Sequence, residues 1–220
     1  ARGAKLGLVA RRADRLQALA ASLPAGADTY TADVRDLGAL KAAAADFMAR
    51  HGPPDLVIAN AGVSHGTLTE HADDVDVFRQ ILEVNVTGMV GTFHPFVAAM
   101  RKAGSGTLAG VASVAGYRGL PGASAYSASK AAAIRYLESL RVEMRGTGVR
   151  VATICPGYIA TPMTEKNPYP MPFIITADEF ARRFARALDA GRDYAVIPWQ
   201  MAIVAKLLAV LPNALFDAAF

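Results

Sequence analysis

The chain has one cysteine, Cys155, so it cannot form an internal disulfide. Nothing in it argues for an oxidising compartment, and the cytoplasm is the expected location. It has no uninterrupted apolar run of the roughly 18 residues that a spanning helix needs. The nearest approach, 201–211, is broken by Lys206. There is no initiator methionine and no charged-then-apolar leader, since Ala1-Arg2-Gly3-Ala4-Lys5 runs straight into an apolar strand. A cut N-terminus is the expectation. Charged residues make up only 19% and the net charge is +4. The excess lies in the first fifteen residues, where Arg2, Lys5, Arg11, Arg12 and Arg15 face only Asp14. That suits a small anion, and without a basic stripe interleaved with aromatics no nucleic-acid partner is expected. His51, His65, His71 and His94 lack defensible metal spacing; His65, Glu70 and His71 stand near one another but without a cysteine, so no metal is expected.

Hydrophobic residues make up 53% of the 220, enough to bury a core without disulfide or metal staples. Short β-rich runs alternate with longer Ala-rich runs of helical spacing. Strands are expected over 6–10, 28–32, 55–59, 106–112, 149–155 and 194–198. Helices are expected over 13–22, 37–50, 74–101, 124–145 and 177–190, the last opened by a capping box of Thr176 and Glu179. The alternation predicts a doubly wound, Rossmann-like α/β domain, a mostly parallel sheet with helices on both faces. With no repeat and no linker, one domain over 1–220 is expected, 1–191 forming its core and 192–220 a last strand and apolar tail.

Tyr126 and Lys130 stand four apart on an expected helix, which puts both on one face, a turn apart. A neighbouring ammonium favours the phenolate, so such a tyrosine can exchange a proton nearer neutral pH. Ser113 closes an expected strand, where its hydroxyl could donate to a substrate oxygen. Asn60-Ala61-Gly62 closes another, and Asn85 puts an amide inside the long helix. Taken singly, these read as a surface pair, a loop serine, a turn residue and a satisfied core amide.

In this order they resemble the short-chain dehydrogenase/reductase family of nicotinamide-dependent oxidoreductases. The matching motifs are Asn60-Ala61-Gly62, Val84-Asn85-Val86, Ser113, Tyr126 with Lys130, and Pro156-Gly157, and the likeness runs to about Gly191. It implies that Tyr126 is the general acid/base, that Lys130 lowers its pKa and holds the nicotinamide ribose, and that Ser113 orients the reacting carbonyl or hydroxyl. It also implies that Asn85 holds a proton-relaying water, that Asp33 and Val34 border the adenine, and that Gly157, Ile159 and Thr161 lie along the nicotinamide. In doubly wound folds an acidic residue after the second strand selects NAD, and an arginine selects NADP. Here Arg11-Arg12 follow the strand at 6–10, which favours NADP(H).

One element of the family pattern is missing: the Gly-rich turn between first strand and first helix that lets backbone approach a pyrophosphate. Gly104-Ser105-Gly106 precedes a strand and reads as an ordinary turn. The missing strand, turn and helix amount to roughly 30 residues. The strand would be central, flanked by 6–10 and 55–59, so the expectation is a fragment of a longer protein, the alternative being a catalytically silent binding or scaffold protein. On the substrate side, 117–121 and the proline-rich 163–175 with Tyr169, Met171 and Phe173 read as apolar, which favours a hydrophobic carbonyl or alcohol. The tail over 198–220 is apolar nearly all round. It is expected to pack within the chain or against a second copy in a homo-oligomer, to lie on a membrane surface, or to cover the pocket.

Overall fold

The computed structural model describes residues 3–165 and 170–218. Strand β1 (Gly7–Ala10) leads into helix α1 (Ala13–Ser22), and β2 (Asp28–Thr31) into α2 (Leu37–His51), which Asp36 caps by accepting from the Ala39 N–H at 2.9 Å. After β3 (Leu56–Ala59) the helix expected over 74–101 is three pieces: α3 (Asp74–Leu82), a π-helical turn (Glu83–Thr87) and α4 (Gly88–Ala103). A π turn adds a residue without changing the helix direction, so the apolar spacing on either side still reads as one helix. Then come β4 (Thr107–Val111), a 3₁₀ turn (Val114–Gly116), α5 (Ser124–Glu143) and β5 (Arg150–Pro156). The chain continues through β6 (Ile159–Ala160), β7 (Ile175–Thr176), α6 (Ala177–Asp189), β8 (Tyr194–Ile197), α7 (Gln200–Val210) and α8 (Asn213–Asp217).

The six expected strands all form, each end within one residue of its expected place. The short pair β6 and β7 was not expected. It ties the ends of the proline-rich loop together, Ile159 opposite Ile175 and Ala160 opposite Thr176, while Tyr169 lies outside the described residues. Only half of the expected capping box forms. Thr176 accepts from the Glu179 N–H at 3.2 Å, but the Glu179 carboxylate turns forward to Arg183.

Strands β3, β4, β5 and β8 form a parallel sheet in that order. Side chains alternate across it. Leu108, Val151 and Cys155 face Phe93 of α4 and Leu137 of α5, whereas Ala109, Ala152 and Ile154 face Ala187, Phe180 and Phe184 of α6. Parallel strands covered on both faces by helices make this a Rossmann-like fold. Strands β1 and β2 pair in parallel as a separate sheet, and among the described residues no ladder joins β1 to β3. Contact between the two halves runs through α4 instead: Gly88 lies against Val34, and Gly91 against Leu37 and Leu40 of α2. On β3 Val57 and Ala59 are buried, but Leu56 and Ile58 are 41% and 42% exposed.

The tail packs against the chain through Met201, Ala205 and Phe216, and exposes Ile203, Leu207 and Val210. Among the described residues no helix is long and apolar enough to cross a membrane.

Gly110 fixes how closely α5 approaches the sheet. A Cβ built there would lie 2.6 Å from both methyl carbons of Leu137, which is fully buried. Gly110→Val should therefore lower stability by about 1–3 kcal/mol, since a packed core does not absorb added methyl groups. Urea unfolding measures it, and an unchanged midpoint would contradict the packing described.

Candidate active site

Parallel strands deliver their C-terminal ends to one edge of the sheet, and the sequence motifs gather there. At the end of β4, Ala112 donates its N–H to the Ile154 carbonyl at 2.7 Å, which fixes the path into Ser113. Ser113 is buried, and its Oγ accepts from the Ala115 N–H at 3.1 Å, so it caps the 3₁₀ turn. With a lone pair used there, the hydroxyl proton is free to point at a ligand oxygen. The turn itself presses on α5. A Cβ on Gly116 would stand 2.8 Å from the Lys130 carbonyl carbon and oxygen, so only glycine lets this backbone come so near.

Tyr126 and Lys130 lie on the α5 face expected from their spacing, but they are not a solvated surface pair. Lys130 is only 4% exposed. Its Nζ lies 5.7 Å from the centre of the Tyr126 ring and donates to the Val111 carbonyl at 2.9 Å. Burial disfavours the ammonium and lowers its pKa to about 8.

Asn85 sits in the π-helical turn, fully buried. Its Oδ1 accepts from the Val63 N–H at 2.8 Å, and its Nδ2 donates to the Val63 carbonyl and to Ser129 Oγ, both at 2.9 Å. Ser129 in turn donates to the Tyr126 carbonyl at 2.7 Å. The amide thus ties the loop after β3 to α5. The loop's Gly62 reaches the same point: a Cβ there would lie 3.4 Å from Asn85 Oδ1 and 3.5 Å from Lys130 Nζ. Asn60 and Ala61 are exposed beside it.

Two further groups of expected residues complete the list. Pro156 ends β5, and Gly157 donates its N–H to the Ile197 carbonyl at 2.8 Å. Ile159 lies in β6, and the Thr161 N–H donates to Thr164 Oγ1 at 3.1 Å. Beyond β1 and β2, Asp33 is held by both arms of Arg35 at 2.8 and 3.1 Å, and Arg11 stands 3.8 Å away. Those guanidinium groups hold the Asp33 carboxyl down at about 2. The Arg11 side chain is 60% exposed, Arg12 is exposed at the N-terminus of α1, and Val34 packs on Gly88. Among the described residues no cluster of His, Cys, Asp and Glu could hold a metal ion.

Comparison with known proteins now has geometry to meet. The family model described as short chain dehydrogenase matches residues 1–170. This chain belongs to the short-chain dehydrogenase/reductase family. An uncharacterized oxidoreductase of Myxococcus xanthus is 39% identical over 221 residues, spanning 99% of this chain and 87% of that protein. The 2-dehydro-3-deoxy-L-rhamnonate dehydrogenase (NAD(+)) of a Sphingomonas species is 37% identical over 136 residues, 62% of this chain and 55% of that one. A crystal structure of a short chain dehydrogenase from Burkholderia cenocepacia in complex with NADP superposes with a TM-score of 0.81 at 28% identity, covering 99% of this chain and 86% of that one.

Short-chain dehydrogenases use nicotinamide cofactors, and the residues here fit the sugar end of one. Lys130 has three N–H donors, and its hydrogen bond among the described residues is to Val111, which leaves donors for hydroxyls beside Gly62. At the other end, Arg11 and Arg12 follow β1 directly. Gly116, Ser129, Val63 and Arg35 escaped sequence reasoning. A glycine three residues after Ser113 was the one available signal, while the partners of Asn85 are set by tertiary packing alone.

The sign of the Lys130 effect on stability follows from its displaced pKa. The folded pKa of about 8 lies below the ordinary value of 10.5, so above pH 8 the native chain sheds a proton that the unfolded chain keeps. The burial cost is complete below pH 8 and fades as pH climbs toward 10.5. Relative to Lys130→Met, the wild type should gain on the order of 2 kcal/mol across that window. Denaturant titrations of both proteins from pH 7 to 10 measure this, and a constant difference would contradict it.

Proposed function

We propose that the chain transfers hydride between NADP(H) and a hydrophobic carbonyl or secondary alcohol, with Tyr126 as general acid/base. The observation that carries this reading is the buried Lys130 ammonium, 5.7 Å from the Tyr126 ring and beside Gly62 and Asn85. A structural lysine gains nothing from such burial, which costs several kcal/mol before compensation.

A bound nicotinamide supplies or accepts the hydride. The chain's own residues handle charge and protons. Hydride addition to a carbonyl builds negative charge on oxygen, which requires one group to hold that oxygen and another to protonate it. Ser113 holds it through the hydroxyl proton left free by the cap, and Tyr126 delivers the proton. Lys130 favours the tyrosinate that remains and binds ribose hydroxyls. Asn85 fixes the loop bearing Gly62, and its nearness to Lys130 suits a water relay between them.

The choice of NADP rests on Arg11 and Arg12. Arg11 is mostly exposed and only loosely paired with Asp33, whose carboxylate is already taken by Arg35. A carboxylate so engaged is a poor acceptor for a ribose 2′-hydroxyl, whereas an exposed guanidinium suits a 2′-phosphate. Relatives differ on this point: one is named for NAD(+), and one structure holds NADP. Asp33 and Val34 would border the adenine, with Pro156, Gly157, Ile159 and Thr161 along the nicotinamide.

Tyr126→Phe should abolish NADPH-linked carbonyl reduction while leaving NADPH affinity, measured by fluorescence, within about threefold. Retained turnover would remove Tyr126 from its role, and absent NADPH binding by the wild type would favour a catalytically silent protein. Arg11→Ala with Arg12→Ala should weaken NADPH binding by about tenfold or more and leave NADH unchanged. Equal loss for both nucleotides would defeat the argument for NADP.

A further inference from the structure

The segment after the Ser113 turn reads as apolar in sequence, yet it contains Arg118, a half-buried side chain whose head is held by the tail. Its Nη1 donates to the Leu211 carbonyl at 3.0 Å, and its Nη2 donates to Asn213 Oδ1 at 2.7 Å. Its guanidinium carbon lies 4.4 Å from the centre of the Phe216 ring, and Phe216 is 8% exposed. Leu211 directly follows α7, while Asn213 and Phe216 belong to α8. A helix of five residues has no stability of its own in water, so α8 depends on such contacts.

The residue before Arg118 is fixed as well. Tyr117 and Tyr194 of β8 share a hydrogen bond at 2.7 Å between their hydroxyls, and the Tyr194 hydroxyl lies 3.1 Å from Cys155 Sγ. Burial pushes the Cys155 thiol up to about 11, so it stays a neutral structural partner. The start of the tail rests on the same edge. A Cβ on Gly157 would stand 2.6 Å from Met201 Cγ and 3.5 Å from Pro198, so the chain entering α7 rests on the residue that follows β5. The tail therefore spans the strand ends from Gly157 to the loop that leaves Ser113, where α/β folds bind substrate.

We propose that Arg118 is a positioning residue that latches the α7–α8 tail to the Ser113 loop, making the tail a fixed wall of the substrate pocket that selects apolar substrates by size. The pocket role rests on the function proposed above, while the latch itself does not. Arg118 touches no reacting atom and acts through the loop. Lysine reaches one acceptor at a time and lacks the planar fork, so Arg118→Lys keeps part of the latch and Arg118→Ala none.

The test has two arms on the full chain. In amide hydrogen exchange without ligand, Arg118→Ala should speed exchange about tenfold in both 117–123 and 211–218, leaving β4 and the middle of α5 unchanged. Arg118→Lys should restore part of the protection, and Asn213→Ala, which removes one contact, should fall between. Loosening of the tail alone, or of neither segment, overturns the latch. In the second arm, NADPH-linked reduction of methyl ketones from acetone to 2-decanone is followed. Arg118→Ala should raise KM for the long ketones about tenfold with kcat within about threefold, and Arg118→Lys should recover part of it. An equal fall in kcat for all ketones overturns the selecting wall. A wild type without turnover defeats the proposed function, and with it the pocket role, while exchange still decides the latch.

Discussion

A positive charge held out of water organises this molecule. Transferring an ammonium from solvent to protein costs several kcal/mol, and the structure sets few groups against that cost at Lys130: the Val111 carbonyl and the face of Tyr126. The charge is kept at a disadvantage, as its lowered pKa records. A group so placed has donors left to give, and the backbone around it provides room for what would accept them.

That room is made by glycines at close approaches. Gly110 lets α5 settle on β4, and Gly116 lets the turn after Ser113 touch the α5 backbone at Lys130 itself. Gly157 lets α7 rest on the end of β5. These contacts are backbone to backbone or backbone to core, so the spacing between Ser113, Tyr126 and Lys130 is set by packing that has little slack. The buried Asn85 adds the third side by tying Val63 to Ser129, and the π-helical turn gives the amide its position inside an apolar helix.

Much of this was legible in the letters. The alternation of short β-rich runs with longer runs of helical spacing located the strands to within a residue. The pairing of Tyr126 with Lys130 followed from a separation of four. What stayed hidden lacked a local signature. The π-helical turn keeps helical spacing on both sides. Strands β6 and β7 are two residues long each and exist only through their mutual pairing. Arg118 sits in a segment that averages as apolar, and its partners are over ninety residues away in sequence. The Asp33–Arg35 fork was equally invisible, because only the turn after β2 brings the side chains together.

The central claim is that Lys130 is a buried, destabilised cation facing Tyr126. Nuclear magnetic resonance of the chain carrying ¹³Cε-labelled lysine, with Lys130→Arg used to assign the signal, reads its protonation directly. The account predicts a titration midpoint at about 8. A midpoint at the ordinary 10.5 would mean that this amine is solvated, and would contradict the account.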